Sequence, residues 1–244
     1  MKRKLDRRLC VGMALIIEVV FLLSYLFVMN TGQDESKVVI NGFASIGNIK
    51  EKEIVKLDGT WEFYPNELID PNEDFSLYDD SKIYTSVPRQ QVQSDMDKTT
   101  KYGTFRTQVH VNDDMYGLKL RMVRSAYRVF VNGEEVLSLG TLGTSKEVHK
   151  TDSRYQLAVF DLHGDTLDLV LQFSNFDIQK GGIFSSIELG QADHMIQVDK
   201  NKNMVELIYS TGLITLGLYF FFLYINRNDA QFLKYYSLMS ISAA

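Results

Sequence analysis

Residues 127–139 read YRVFVNGEEVLSL, and the reading of the fold turns on them. Tyr127 to Val131 is a run of β-branched and aromatic residues. Asn132-Gly133 is the strongest short hairpin signal, because a tight type I′ turn needs positive φ at both central residues. Residues 135–139 then supply the return strand. Working outward, period-two patterns recur at 104–111 (TFRTQVHV), 118–123 (LKLRMV), 155–160 (YQLAVF) and 167–173 (LDLVLQF), with 183–189 closing the set. On the N-terminal side, residues 54–57 lead through Asp58-Gly59 into 60–64 (TWEFY), and a short strand at 82–87 stops at Pro88. Strands at this spacing, bounded by Gly, Asn and Asp, indicate an all-β sandwich or barrel. Residues 66–81 and 141–153 are the longest connections, where a site would be built.

Two apolar segments bracket this block. Residues 11–29 read VGMALIIEVVFLLSYLFVM, directly after a basic stretch containing Lys2, Arg3, Lys4, Arg7 and Arg8. About 20 helical residues span a hydrocarbon core of about 30 Å. The run is longer than a signal-peptide core and no small-x-small cleavage site follows it, so residues 10–29 are read as an uncleaved transmembrane anchor. Glu18 inside it is a functional candidate or a side chain facing other helices. Residues 204–225 (MVELIYSTGLITLGLYFFFLYI) form the second span. The positive-inside rule puts residues 1–9 in the cytoplasm and the β-domain outside. The expected organisation continues with a stalk at 30–53, the β-sandwich at 54–192, a linker at 193–203, a cytoplasmic loop at 226–234, and at 235–244 the start of a further, truncated transmembrane helix.

Charge is segregated. Residues 31–203 hold 19 Lys/Arg and 27 Asp/Glu, a balance of 19 − 27 = −8. An acidic ectodomain argues against a nucleic-acid partner. The single cysteine, Cys10, allows no intramolecular disulfide and no CxxC chemistry.

The order of motifs is more informative than any one of them. Residues 57–64 (LDGTWEFY), Val87-Pro88, 102–106 (YGTFR), 125–134 (SAYRVFVNGE), 174–176 (SNF) and 181–183 (GGI) follow one another. This string resembles the extracytoplasmic jelly-roll, galactose-binding-like domain of bacterial seven-transmembrane receptors with diverse intracellular signalling modules. More distantly it is similar to the sugar-binding sandwich of β-galactosidase and β-glucuronidase type enzymes. The resemblance implies an all-β jelly-roll sandwich ectodomain flanked by transmembrane α-helices. It also implies a sensor whose longer relatives carry a histidine kinase or a diguanylate cyclase or phosphatase module. On this reading the sequence stops in or before the second bundle helix, ahead of where such a module is expected.

The candidate ligand-binding residues are Arg106, Arg124, Tyr127, Arg128, Asn175, Lys180, Gly181 and Gly182. The arginines could fork onto a carboxylate or sugar hydroxyls, or simply lie on a solvated strand face. Asn175, Lys180 and the glycine pair form either a loop that a ligand's atoms approach closely or a plain turn. Trp61 either stacks on a sugar or closes the core. Asp79-Asp80 and Asp113-Asp114 read as exposed turn carboxylates rather than halves of a calcium site. The four histidines show no metal-ligand spacing, and no nucleophile elbow or phosphate-cradling loop is present. The expectation is a non-enzymatic membrane sensor without cofactor or metal. Its partners would be a small-molecule or carbohydrate ligand, the membrane, a downstream signalling module and, in a dimer, a second copy. The alternative is a structural or protein-interaction module that mediates dimerisation or envelope contact.

Overall fold

A computed structural model describes residues 34–88, 100–120, 126–152, 156–177, 183, 185–226 and 231–243. The chain divides into two units, residues 33–196 and residues 1–32 with 197–244. The first contains a mostly antiparallel sheet of eleven strands. In chain order these are β1 (Asp34–Val39), β2 (Phe43–Gly47), β3 (Ile54–Pro65), β4 (Ile83–Val87), β5 (Tyr102–Val111) and β6 (Asp114–Leu120). They continue with β7 (Ala126–Val131), β8 (Glu134–Leu139), β9 (Gln156–Leu162), β10 (Thr166–Ser174) and β11 (Ile187–Gln191). The hydrogen-bonded order is β8-β7-β10-β5-β3-β11-β6-β9, and the end strands β8 and β9 come together, so the sheet curls toward a barrel around one core.

The Asn132-Gly133 turn is as expected: φ is +48° and +88°, and β7 pairs with β8. The period-two pattern sorts side chains to two faces. Phe63, Phe105, Tyr127, Val129, Leu171 and Phe173 point to the core, where the Phe63 and Phe105 ring centres are 4.5 Å apart and those of Phe105 and Phe173 are 5.4 Å apart. Trp61 is fully buried among them, and its Nε1–H donates to the Leu57 carbonyl at 2.9 Å. It closes the core and offers no ring face to a sugar.

Three expectations change. Residues 30–53 are not a plain stalk, because β1 pairs in parallel with β3 and β2 in parallel with β5, and Val39, Ala44 and Ile49 are buried. Second, β3 runs unbroken through Asp58-Gly59, since Gly59 is a strand residue that meets Val39 at close quarters. Third, no linker follows the sheet. Gln191 ends β11 and helix α1 (Ala192–Asn226) begins at the next residue, absorbing 193–203. Smaller shifts start β6 at 114 instead of 118, with 121–123 outside the described residues, and place β11 at 187–191 instead of 183–189.

In the other unit, α1 continues to Asn226, and α2 (Phe232–Ser242) covers 232–234 of the loop expected at 226–234 and most of the helix start expected at 235–244. The two helices pack where Gly217 faces Ile241 and the Ser237 carbonyl, and the Phe220 and Tyr236 ring centres are 5.9 Å apart. Among the described residues, α1 is the one helix long and apolar enough to cross a membrane. Thr211 and Thr215 satisfy their hydroxyls by donating to the carbonyls of Leu207 and Thr211, four residues back. The anchor expected at 10–29, with Glu18, lies outside the described residues.

Candidate functional site

The two long connections meet different fates. Residues 66–81 fold down onto the outer face of β3, β5, β10 and β7. Ile69 and Phe75 bury there against Tyr64, Phe130 and Val170. Thr104 pins the loop: its hydroxyl donates to the Glu67 carbonyl at 2.7 Å and accepts from the Ile69 amide at 3.1 Å. Gln172 adds a bond to the Ile69 carbonyl at 2.7 Å. Asp74 caps the short 3-10 turn Phe75–Tyr78 by accepting from the Ser76 amide.

Arg106 sits at the edge of this packing, held by an ion pair and a ring contact. Its Nε and terminal nitrogen donate to the two carboxylate oxygens of Asp168 at 2.9 and 2.6 Å, and its guanidinium lies 4.2 Å from the Phe75 ring centre. The bidentate bond to Asp168 holds the guanidinium above its ordinary pKa. The fork that the sequence offered to a ligand carboxylate is occupied by Asp168 from within the protein. Replacing Thr104 by valine removes both loop bonds from a buried position. It should cost about 1–3 kcal/mol and expose residues 66–81 to limited proteolysis before the sheet unfolds.

Residues 141–153 are tied to the end of β10 differently. His149 is buried beside Phe176, with Nδ1 2.8 Å from the Ser174 hydroxyl and Nε2 2.9 Å from the Thr151 hydroxyl. Thr151 donates to the Asp177 carboxylate, so its oxygen accepts from His149 Nε2–H. That leaves Nδ1 to accept from Ser174, whose oxygen accepts from the Gly143 amide at 3.2 Å. The result is a one-way chain of donors from Gly143 through Ser174, His149 and Thr151 to Asp177. It has the residue types of a nucleophilic triad, but Ser174 is fully buried. Its oxygen is shielded by the surrounding fold, and the chain fastens the loop. Its outer end is open: Thr151 and Asp177 are exposed, and the Thr151 bond holds the Asp177 carboxyl below its ordinary pKa.

A carboxyl with a lowered folded pKa stabilises fully above its unfolded value, here 3.8, and the contribution disappears as pH falls through the folded value. Acidification below pH about 4 should therefore loosen residues 141–153 ahead of the sheet. Hydrogen exchange measured against pH checks this, and Asp177→Asn should show the loosened loop already at neutral pH.

The remaining candidates fall as follows. Tyr127 is a core residue whose phenol is pushed up to about 12, first by burial and then by Asp152. Asn175 is buried, and its side chain accepts from the Asp177 amide at 3.2 Å, which shapes the turn carrying Asp177. Neither presents a free group to a ligand as expected. Arg128 is exposed beside Glu135 at 3.8 Å, a surface pair of small energetic weight. Arg124, Lys180, Gly181 and Gly182 lie outside the described residues. His149, Thr151, Ser174 and Asp177 were not found from the sequence. A single histidine and scattered hydroxyls have no spacing signature, and only the fold brings them together.

Asp113, Asp161 and His163 each place a potential ligand atom within 4.8 Å of the others, all exposed, with Asp161 near the end of β9 and the other two on the turns beside β6 and β9. The register explains it, since Asp161 pairs with Met115 and His163 follows two residues on. Asp114 is engaged by Gln191, whose side chain donates to it at 2.8 Å.

No protein-family model matches the chain, and no curated protein matches it. Among solved structures it is similar to the β-glucuronidase of Faecalibacterium prausnitzii, with 15% identity, TM-score 0.41, and coverage of 56% of this chain and 31% of that one. It is also similar to a Ruminococcus gnavus β-glucuronidase, with 15% identity, TM-score 0.38, and coverage of 56% and 28%. The R. gnavus enzyme in complex with D-glucuronic acid gives 16% identity, TM-score 0.38, and coverage of 56% and 29%. The chain spans less than a third of the length of these structures, and a likeness this distant does not extend to their activity.

Proposed function

We propose that this chain is the jelly-roll sensory ectodomain and first bundle helices of a bacterial membrane receptor of the sensor-kinase or diguanylate-cyclase type. It is a non-enzymatic binding module in the inner membrane, with its N-terminus cytoplasmic. The observation that carries this reading is the direct passage from β11 into α1, without a linker, in a helix long and apolar enough to span a bilayer. Binding would act by shifting the population between two settings of that helix, which requires ligand contacts that differ between the settings. The ligand would be a small polyhydroxylated or carbohydrate molecule. The rim formed by Thr151 and Asp177 suits it, as an ionised carboxylate accepts strongly from hydroxyl donors.

A second reading is favoured by one observation: the sheet face bearing Arg106 is filled by the protein's own loop. On that reading the domain binds no small ligand and serves dimerisation or envelope contact. The test is a thermal-shift screen of mono- and oligosaccharides and central metabolites on the full chain in lipid nanodiscs. The receptor reading expects stabilisation by at least one compound, lost in Asp177→Ala. No stabilisation by any compound, with clean self-association, overturns it in favour of the second.

A further inference from the structure

The histidines have no metal-ligand spacing along the chain, but the β6–β9 ladder brings one of them to two carboxylates. Asp114 pairs with Leu162 and Met115 with Asp161, so one step beyond the ladder Asp113 comes opposite His163. Asp161 and His163 are two residues apart and share a face, while Leu162 between them turns into the core. The three ligand atoms lie within 4.8 Å of one another. The backbone holds the two turns together beneath them. The Val111 amide donates to the Asp165 carbonyl at 3.0 Å, and the Gly164 amide reaches Asp113 Oδ2 at 3.4 Å.

Two carboxylates alone would be a solvated acidic surface. The third ligand is of another kind. His163 adds an imidazole nitrogen, which suits Zn2+ and its transition-metal neighbours, whereas Ca2+ and Mg2+ take oxygen. Among the described residues, neither Asp113 nor Asp161 pairs with a lysine or arginine, and the partner of Asp161 is His163 itself at 3.9 Å. The two like charges are thus left without a compensating side-chain cation. A tetrahedral Zn2+ with ligands at about 2.0–2.2 Å sets them about 3.4 Å apart, so each pair needs to close by no more than about 1.4 Å. Exposed side chains cover that distance by rotamer change. The fourth position is left open to water.

We infer that Asp113, Asp161 and His163 form a transition-metal site of the Zn2+ class, which clamps the β5–β6 turn to the β9–β10 turn. The site lies at the opposite end of β10 from Asp177. It stands whether the domain is a sensor or an interaction module.

The test is calorimetric titration of the untagged full chain in nanodiscs with zinc chloride, and in parallel with calcium chloride, with hydrogen exchange read at both turns. One Zn2+ should bind per chain and slow exchange of amides 112–114 and 163–165 together by about tenfold. Ca2+ should bind at least about tenfold more weakly. His163→Ala, Asp113→Asn and Asp161→Asn, all at exposed positions, should each weaken Zn2+ binding by about tenfold or more and remove the protection from both turns. Asp165→Asn, an exposed acid of the same turn outside the trio, should leave both unchanged. Absence of Zn2+ binding, or binding that survives His163→Ala or Asp113→Asn, overturns the site. So does Ca2+ binding as tightly as Zn2+, which would leave an acidic surface only. The saccharide screen, run without added metal, reports on the receptor reading separately.

Discussion

Replacing Trp61 by alanine should destabilise the β-domain by about 3–5 kcal/mol, the usual range for emptying a buried large aromatic site. Trp61 lies in the middle of β3, a central strand, with no exposed surface. Its indole N–H is satisfied internally by the Leu57 carbonyl, so the residue has no need of water or of a ligand. Urea denaturation measures the change, and Trp61→Phe separates the terms: it keeps most of the packing and loses the hydrogen bond, for a smaller cost of about 1–2 kcal/mol. Because Trp61 is the only tryptophan, its fluorescence also tests sugar stacking. Emission should not move when a carbohydrate is added to folded protein. A Trp61→Ala variant within about 1 kcal/mol of the parent would mean the ring is not a core element.

The outcome at Trp61 illustrates what period-two reasoning could settle. Alternation decides which face a side chain takes, and a hydrophobic residue on the inward face of a central strand has few options other than the core. The hairpin at Asn132-Gly133 was legible for a similarly local reason, because few sequences tolerate positive φ at two successive positions. The strands that were missed, β1 and β2, pair in parallel, β1 with β3 about 20 residues on and β2 with the more distant β5. A parallel edge strand has no tight turn to announce it, and β1 (DESKVV) carries charges that read as a stalk. The linker failed for another reason. Residues 193–203 are polar, which signals exposure, but exposure is compatible with a solvated helix as much as with a loop.

The site was less legible than the fold. Arg106 was singled out for its fork, correctly as chemistry, yet a fork can be filled from within, and Asp168 does so from the neighbouring strand. Its partner was invisible in the sequence because cross-strand pairs between β5 and β10 depend on register. Residues 141–153 were expected to matter as a long connection. The donor chain through His149 shows how such a loop becomes ordered, by exhausting its buried polar groups on one another.

Gly59→Ala should have the larger effect of the two substitutions, above about 4 kcal/mol. Gly59 has φ of +144°, a region L-residues rarely enter, and an added Cβ would lie 2.1 Å from the Val39 carbonyl oxygen and 2.5 Å from its nitrogen. Both obstacles are backbone atoms, so no rotamer change relieves them. Gly59 is held from both sides, paired with Val39 of β1 and with Val87 of β4, so β3 cannot swing away either. The cheapest escape is release of the end of β1, which would unseat buried Val39 and let water reach the core beside Leu57. Hydrogen exchange should show residues 34–40 losing protection first, with β10 amides following only as global stability falls. Should the variant instead fold with its stability within about 1 kcal/mol of the parent, and with residues 34–40 exchanging as in the parent, then β1 does not press on β3. Residues 30–53 would return to the status of a stalk, and the domain would begin at β3.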